Sequence, residues 1–428
     1  MRFSFALLPR LSLTLLLAIA LLSGCSVNQV TGKRQMSMSF DEQVKMGNSQ
    51  YGPAQQQQGG RYVVDPDLNV YVNEVGQSVA KFSPVKLPYE FVVLNNDVPN
   101  AWALPGGKIA INRGLLVLLD DEAQLASVLG HEVIHAAAEH SAKQMRNSQI
   151  LGIGVAAAAV AAGMTDNENA ALIGLGAALG AKVYQAHYGR SQELEADFYG
   201  IDYMVAAGYD PQAAVELQMK FVELSKGQKS NGLGKLFASH PPSEERVKKN
   251  QQKANKLPKG KRNQAAYQQA IAQIIKDQPA YAKHNEALLA ANNKQLDSAL
   301  SLSNQAIKMQ PNEAMFYVTK GKILSSQNKE KEARNAFAIA TKKNPDYYMG
   351  QLALGVTEAQ LGNKQQAKSA LQKSYLLLPT SLAAYNLGQL EEQQGNTQNA
   401  VKYYKAAASE NSNIGKAAQQ KLRNMNAG

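Results

Sequence analysis

Cysteine is almost missing from this 428-residue chain: there is one, Cys25. A single cysteine excludes a disulfide framework within the monomer and any cysteine-built zinc site, so a metal would have to be held by His, Asp or Glu. An apolar run of membrane-spanning length is also missing. Leu11–Leu22, Ile150–Met164 and Ala170–Val183 each fall short of the ~20 residues a helix needs to cross a bilayer. No basic run is interleaved with aromatics. The net charge of +11 is spread along the chain and includes Arg2 and Arg10 at the N-terminus, which is the wrong footprint for nucleic acid. What is present is apolar content, 45% against 18% charged, enough for a real core over a length of two or three domains.

Arg2 and Arg10 flank the start of the apolar run, which ends Leu22-Ser23-Gly24-Cys25. A charged start, a short apolar stretch and small residues before a cysteine predict a secretory signal over 1–24 with a lipobox. Cys25 is then the lipidation site, and Ser26 after it favours the outer membrane of a Gram-negative bacterium. Residues 25–60 are polar, with Gln55–Gln58 before Gly59-Gly60, and read as part tether and part early helix over Phe40–Ser49.

The chemistry is concentrated in His131-Glu132-Val133-Ile134-His135, inside a helical run from Asp120 to Met145. Residues four apart share a helix face, so His131 and His135 can aim at one point, chelate a divalent metal and leave Glu132 within reach of its water. Asp120 or Asp121 would cap the helix. His140 lies five residues past His135, about 140° around a continuous helix, and is expected outside the ligand set, in a supporting position or exposed. A third ligand is offered by Glu193-Leu194-Glu195-Ala196-Asp197, which opens a helix reaching about Ala207. A carboxylate there would complete a His, His, Glu set with an open position for water. Glu193 and Asp197 share a face, and Asp197 could hold a histidine ring; on spacing alone Glu195 competes with Glu193.

Around this core, Leu68, Val72, Val75 and Val79 stripe a helix, Glu90–Leu94 reads as a strand, and Pro105-Gly106-Gly107 turns between two short strands. The edge at Asn100, Ala101, Trp102 and Ala103 could pair with an extended peptide, or be a plain hairpin. The two Gly/Ala-rich segments between 150 and 183 read as a helical hairpin packed on the core, with a lid or a membrane-dipping surface as the alternative.

Beyond the basic stretch Lys253–Arg262 the chain repeats. Pro311, Pro345 and Pro379 are 34 apart, as are Ala299, Ala333 and Ala367, with Asn328, Gly362-Asn363 and Gly395-Asn396 at the turns. This is the tetratricopeptide period: about four helix–turn–helix units from Pro279 and an end helix near Asn413–Met425, stacked into a superhelix with a partner-binding concave face.

Several motifs in order resemble the HtpX-type, CAAX-prenyl-protease-like family of gluzincin metallopeptidases. They are Asn100–Gly107, Gly114-Leu115-Leu116, His131–His135, Glu193–Asp197, Gly208-Tyr209-Asp210-Pro211 and Ser239-His240-Pro241-Pro242 with Arg246. The resemblance spans roughly 60–250 and is nearest to the soluble periplasmic branch, since integral-membrane members have spanning helices and this chain has none. It implies Glu193 as third ligand and Asp197 as its support. It also implies that His240 and Arg246 act in catalysis, or that His240 approaches the metal as an inhibitory ligand.

The expected fold is therefore mainly α. A gluzincin domain with a small β-sheet fills 61–250, a basic linker and helix 251–278, and an α-solenoid of repeats 279–428. The expected function is a lipid-anchored, zinc-dependent endopeptidase with one zinc ion per chain and Glu132 as its base. It would act on unfolded or misassembled envelope proteins, with the repeats engaging protein partners such as outer-membrane assembly machinery. The competing reading is a chaperone-like assembly scaffold whose metal site is latent or self-inhibited.

Overall fold

The computed structural model describes residues 25–147, 188–226 and 233–426; the signal-like segment and the 150–183 hairpin lie outside the described residues. The chain opens with an antiparallel hairpin, β1 (Cys25–Val27) and β2 (Arg34–Met36). Asn28 closes its turn by accepting from Val30 N and Thr31 N, and Gly32 supplies the left-handed φ of 68°.

Helix α1 (Phe40–Gln57) starts at a Ser39/Glu42 capping box and continues eight residues past the expected Ser49, with Pro53 inside it. The glutamine run is its last turn and not a tether. Gln56 is buried because it is used: its Nε2 donates to Asp346 O at 2.7 Å and its Oε1 accepts from Tyr348 N at 2.9 Å, far along the chain.

Helix α2 (Pro66–Ala80) is capped by Asp65, with Pro66 in the first turn, and buries Leu68, Val72, Val75 and Val79. A three-stranded sheet follows: β3 (Glu90–Leu94), β4 (Ala101–Leu104) and β5 (Lys108–Asn112), in the order β3-β5-β4. β3 and β5 are parallel, β4 and β5 antiparallel with Trp102 opposite Ala110, so β4 is an edge. Gly106 and Gly107, with φ of 74° and 80°, make the turn. After the short α3 (Arg113–Leu116), Asp121 caps α4 (Glu122–Ala137) by accepting from Gln124 N. Helices α5 (Arg190–Ala206), α6 (Gln212–Lys226), α7 (Leu233–Ser239) and α8 (Glu244–Ala254) complete the layer around α4. Among the described residues no helix is long and apolar enough to cross a membrane.

The basic stretch after α8 is docked. Arg262 bonds Asp121 and Glu216, and Lys261 N donates to Gly208 O. Helix α9 (Gln264–Ala270) and the start of α10 (Ala272–Asn292) put Tyr267, Ile271 and Ile274 into the core of the first domain. This is why α10 begins seven residues before Pro279, which lies within the helix. Four helix pairs and an end helix follow: α10 with α11 (Leu296–Met309), α12 (Ala314–Ser326) with α13 (Glu330–Lys343), α14 (Tyr348–Gln360) with α15 (Lys364–Leu377), α16 (Ser381–Gln393) with α17 (Thr397–Ala408), and α18 (Asn413–Asn426). The turn residues Asn328, Gly362 and Gly395 all have left-handed φ.

The repeats meet the first domain through buried polar groups. Asn95 Nδ2 donates to Glu313 Oε2 at 2.9 Å, Tyr281 Oη to the same oxygen at 2.6 Å, and Arg113 Nε to Asn95 Oδ1 at 2.9 Å, with the Arg113 guanidinium stacked 3.4 Å from the Tyr281 ring centre. Next to them His284 is buried against Phe316, its Nε2 2.8 Å from Thr319 Oγ1. Burial holds its pKa down, at about 4. Below the ordinary imidazole pKa the unfolded chain takes a proton that the folded one refuses. His284 therefore costs stability as pH falls from about 6.5 towards 4, by at most about 3 kcal/mol. His284→Gln should remove this part of the pH slope, read as the difference in urea midpoint between variant and parent by circular dichroism at pH 7 and pH 4.5. Parallel slopes would refute it.

Candidate metal centre

Two helices carry the site, and they touch backbone to backbone. A Cβ on Gly130 would sit 3.0 Å from Gly200 O, and one on Gly200 3.0 Å from His131 N. Their close contact sets α4 and α5 side by side and brings His131 and His135 against Glu193. The two imidazole Nε2 atoms are 3.0 Å apart; Glu193 Oε1 is 3.3 Å from His135 Nε2, and Glu193 Oε2 is 3.4 Å from His131 Nε2. His240, at the end of α7, adds its Nδ1 at 3.1 Å from Glu193 Oε1 and 3.3 Å from His131 Nε2. One donor atom from each of these four residues lies within 4.8 Å of the others.

Asp197, one turn past Glu193, accepts from His131 Nδ1–H at 2.9 Å. Arg246 clamps this arrangement. Its Nε and Nη2 donate to Asp197 at 2.7 Å each, and its Nη1 reaches Glu193 Oε2 at 2.7 Å and Pro241 O at 3.1 Å. Ser243 caps α8 and places Arg246 three residues into its first turn. Glu132 is buried beside the cluster, and neither its Oε2 nor His240 Nε2 finds a hydrogen-bond partner among the described residues.

Such a donor set, two imidazoles and a carboxylate with a second carboxylate at hand, fits a divalent metal. Residues 66–254 match the model of peptidase family M48. That stretch of the chain is an M48-like peptidase domain. A tetratricopeptide repeat model matches residues 382–414. The chain is 27% identical over 368 residues to a β-barrel assembly-enhancing protease of Escherichia coli O157:H7, covering 79% of this chain and 74% of that one. It is 30% identical over 220 residues to the mitochondrial metalloendopeptidase OMA1 of Schizosaccharomyces pombe, covering 51% and 62%. It is 31% identical over 156 residues to the metalloprotease YcaL of Escherichia coli K12, covering 36% and 58%. The protein is a metalloprotease with tetratricopeptide repeats, and its M48 domain works with a metal cofactor.

The electrostatics of the M48 site favour a cation. Burial lowers the His135 pKa well below its ordinary value, keeping the ring neutral as a ligand must be. Burial also opposes charge on His131, but the Glu193 and Asp197 carboxylates outweigh it and raise that pKa to about 10. Burial disfavours charge on Glu193 as well, yet the charges of His240, His131 and Arg246 keep it ionised.

The strand expected to face substrate is the edge β4 of the M48 sheet. Asn112 N donates to Asn100 O, so by the two-residue alternation the main-chain groups of Ala101 and Ala103 face away from β5, although the strand is buried. Ser141 Oγ donates to Ala103 O at 2.8 Å, and Ser239 Oγ to Asn100 Oδ1 at 3.4 Å. Trp102 is buried on the α1 side, edge-on to Tyr51.

His140 is outside the donor cluster and in a supporting position, one of its two expected placements, but not by way of a continuous helix. The helix does not run on to Met145: it breaks at Ala138–Glu139, with Glu139 at φ 62°, and a new helix starts at 140. His140 therefore folds back, buried, with Nδ1 3.0 Å from His135 Nδ1. Glu195 does not compete for the cluster; it meets His140 Nε2 at 3.3 Å and pairs with Lys33. Good helix formers at Ala138 and Glu139 gave no sign of the break.

Proposed function

We propose that this metalloprotease is a zinc-dependent endopeptidase of the bacterial envelope, tethered by a lipid on Cys25. The observation that carries it is the convergence of His131, His135 and Glu193 beside the buried Glu132 carboxylate, whose Oε1 lies 3.6 Å from His240 Nε2 and whose Oε2 has no hydrogen-bond partner among the described residues. Two imidazoles favour zinc over magnesium or calcium. A bound zinc ion would polarise the scissile carbonyl and acidify the attacking water.

The chain's own residues do the rest. Glu132, whose carboxyl is pushed up by burial, takes a proton from water as its oxygen adds to the carbonyl carbon, and returns it to the amine nitrogen as the C–N bond breaks. Asp197 holds the proton of His131 at Nδ1, which turns Nε2 towards the cluster. Arg246, with all its nitrogens engaged, positions Asp197 and Glu193. The Ala101–Ala103 edge aligns the peptide. The cavity against His131 and Glu132, walled by Ala101, Val128, Leu217, Phe221 and Leu236, takes an apolar side chain.

The relative named as a β-barrel assembly-enhancing protease points to envelope proteins as substrates, captured through the repeats, with a place at the outer membrane. A second reading has one observation in its favour: His240 Nδ1 stands among the four donors, where it could hold the fourth position and silence the site of an assembly scaffold. Metal analysis tests the ligand set. Protein purified without chelator should carry about one zinc per chain, and His131→Ala, His135→Ala and Glu193→Ala should each lose it. Full zinc in all three variants would overturn the assignment.

A further inference from the structure

The ring of His135 has two nitrogens, and only one faces the donor cluster. The other, Nδ1, lies 3.0 Å from His140 Nδ1; His140 Nε2 lies 3.3 Å from Glu195 Oε2. His135 is fully buried and His140 nearly so, at 0% and 2% exposure, which leaves little room for water in place of either partner. Tyr188 stacks on His135 with ring centres 3.6 Å apart.

With both buried rings neutral, the chemistry of these groups permits one arrangement of protons. An ionised carboxylate only accepts, so His140 must carry its proton at Nε2 and point it at Glu195. Its Nδ1 is then a bare acceptor, and His135 must carry its own proton at Nδ1. That leaves His135 Nε2 with a lone pair directed at His131 and Glu193. The opposite tautomers would set a bare His140 Nε2 against the carboxylate, acceptor to acceptor.

The chain of contacts continues to the N-terminal hairpin. Lys33, in its turn region, pairs with Glu195. Asn28 Nδ2 reaches Ala137 O at 3.5 Å, and Met38 N donates to Glu139 Oε2 at 3.1 Å. These contacts flank the helix break that folds His140 back.

We infer that His140 and Glu195 are positioning residues that fix the tautomer and orientation of His135, and that the segment following Cys25 thereby reaches the metal centre. This rests on His135 being a ligand. Lys33, with its side chain 66% exposed, adds the least.

Zinc affinity of the chelator-stripped full chain, measured by competition with a coloured chelator, tests the inference. His140→Leu and Glu195→Ala should each weaken binding about 10- to 100-fold. Glu195→Gln keeps an oxygen that accepts from His140 Nε2–H and should stay within about threefold of the parent. The d–d absorption of the cobalt(II)-loaded protein should change with Glu195→Ala and not with Glu195→Gln. Should His140→Leu fail to fold, the Glu195 pair decides. Parent-like affinity in the Ala variant, or equal losses in Ala and Gln, overturns the inference while a loss in His135→Ala keeps the ligand reading. No loss in His135→Ala overturns both.

Discussion

Glu132→Gln should lower peptide hydrolysis by about 10²- to 10⁴-fold and leave the bound metal in place. Glutamine keeps the shape of the side chain and loses its basicity. Glu132 is not among the four residues whose donor atoms converge, so metal content should not follow activity. Burial and the absence of a hydrogen-bond partner for Oε2 among the described residues leave the carboxylate ready to accept a proton. Turnover of an unfolded polypeptide together with zinc content decides it. The same variant separates protease from scaffold: envelope assembly that proceeds unchanged with Glu132→Gln would assign the cellular role to binding. Activity near the parent's would remove Glu132 from the mechanism.

Arg246→Leu should destabilise the metal-free M48 domain by about 3–5 kcal/mol, because it leaves two carboxylates, Glu193 and Asp197, buried without their shared counter-charge. Arg246→Lys should rescue little. One ammonium cannot reproduce two parallel bonds to Asp197 and a third contact to Glu193. Trp102, the only tryptophan, sits in β4 beside the site, so its fluorescence follows this domain alone through urea unfolding. An unchanged midpoint in the leucine variant would show that the clamp contributes no stability.

What could be read from the sequence was whatever repeats or keeps a fixed offset. The four-residue step from His131 to His135, and the same step from Glu193 to Asp197, are helix geometry and needed no neighbours. The 34-residue spacing of the prolines is set by helix pairs that each contact only the next, and so it survives in one dimension. The rest depended on contacts far apart in the chain. Gln55–Gln58 looked like a solvated run until Asp346 and Tyr348 supplied partners for Gln56. The break at Glu139 runs against local propensity and is flanked by contacts from Asn28 and Met38, about a hundred residues upstream. Arg246 was placed by its motif near the chemistry, but its threefold engagement is visible only once α5 and α8 are side by side.

The contact between Gly130 and Gly200 has a bearing on how much change the site tolerates around it. Both glycines sit within a turn or two of the clustered side chains, and a Cβ on either would stand 3.0 Å from the main chain of the facing helix. The approach of the two helices that carry His131, His135 and Glu193 is thus limited by main chain. A single methyl group at either position would require the facing main chain to give by a few tenths of an ångström. Metal affinity should therefore respond to residues that never touch the ion, with every ligand unchanged.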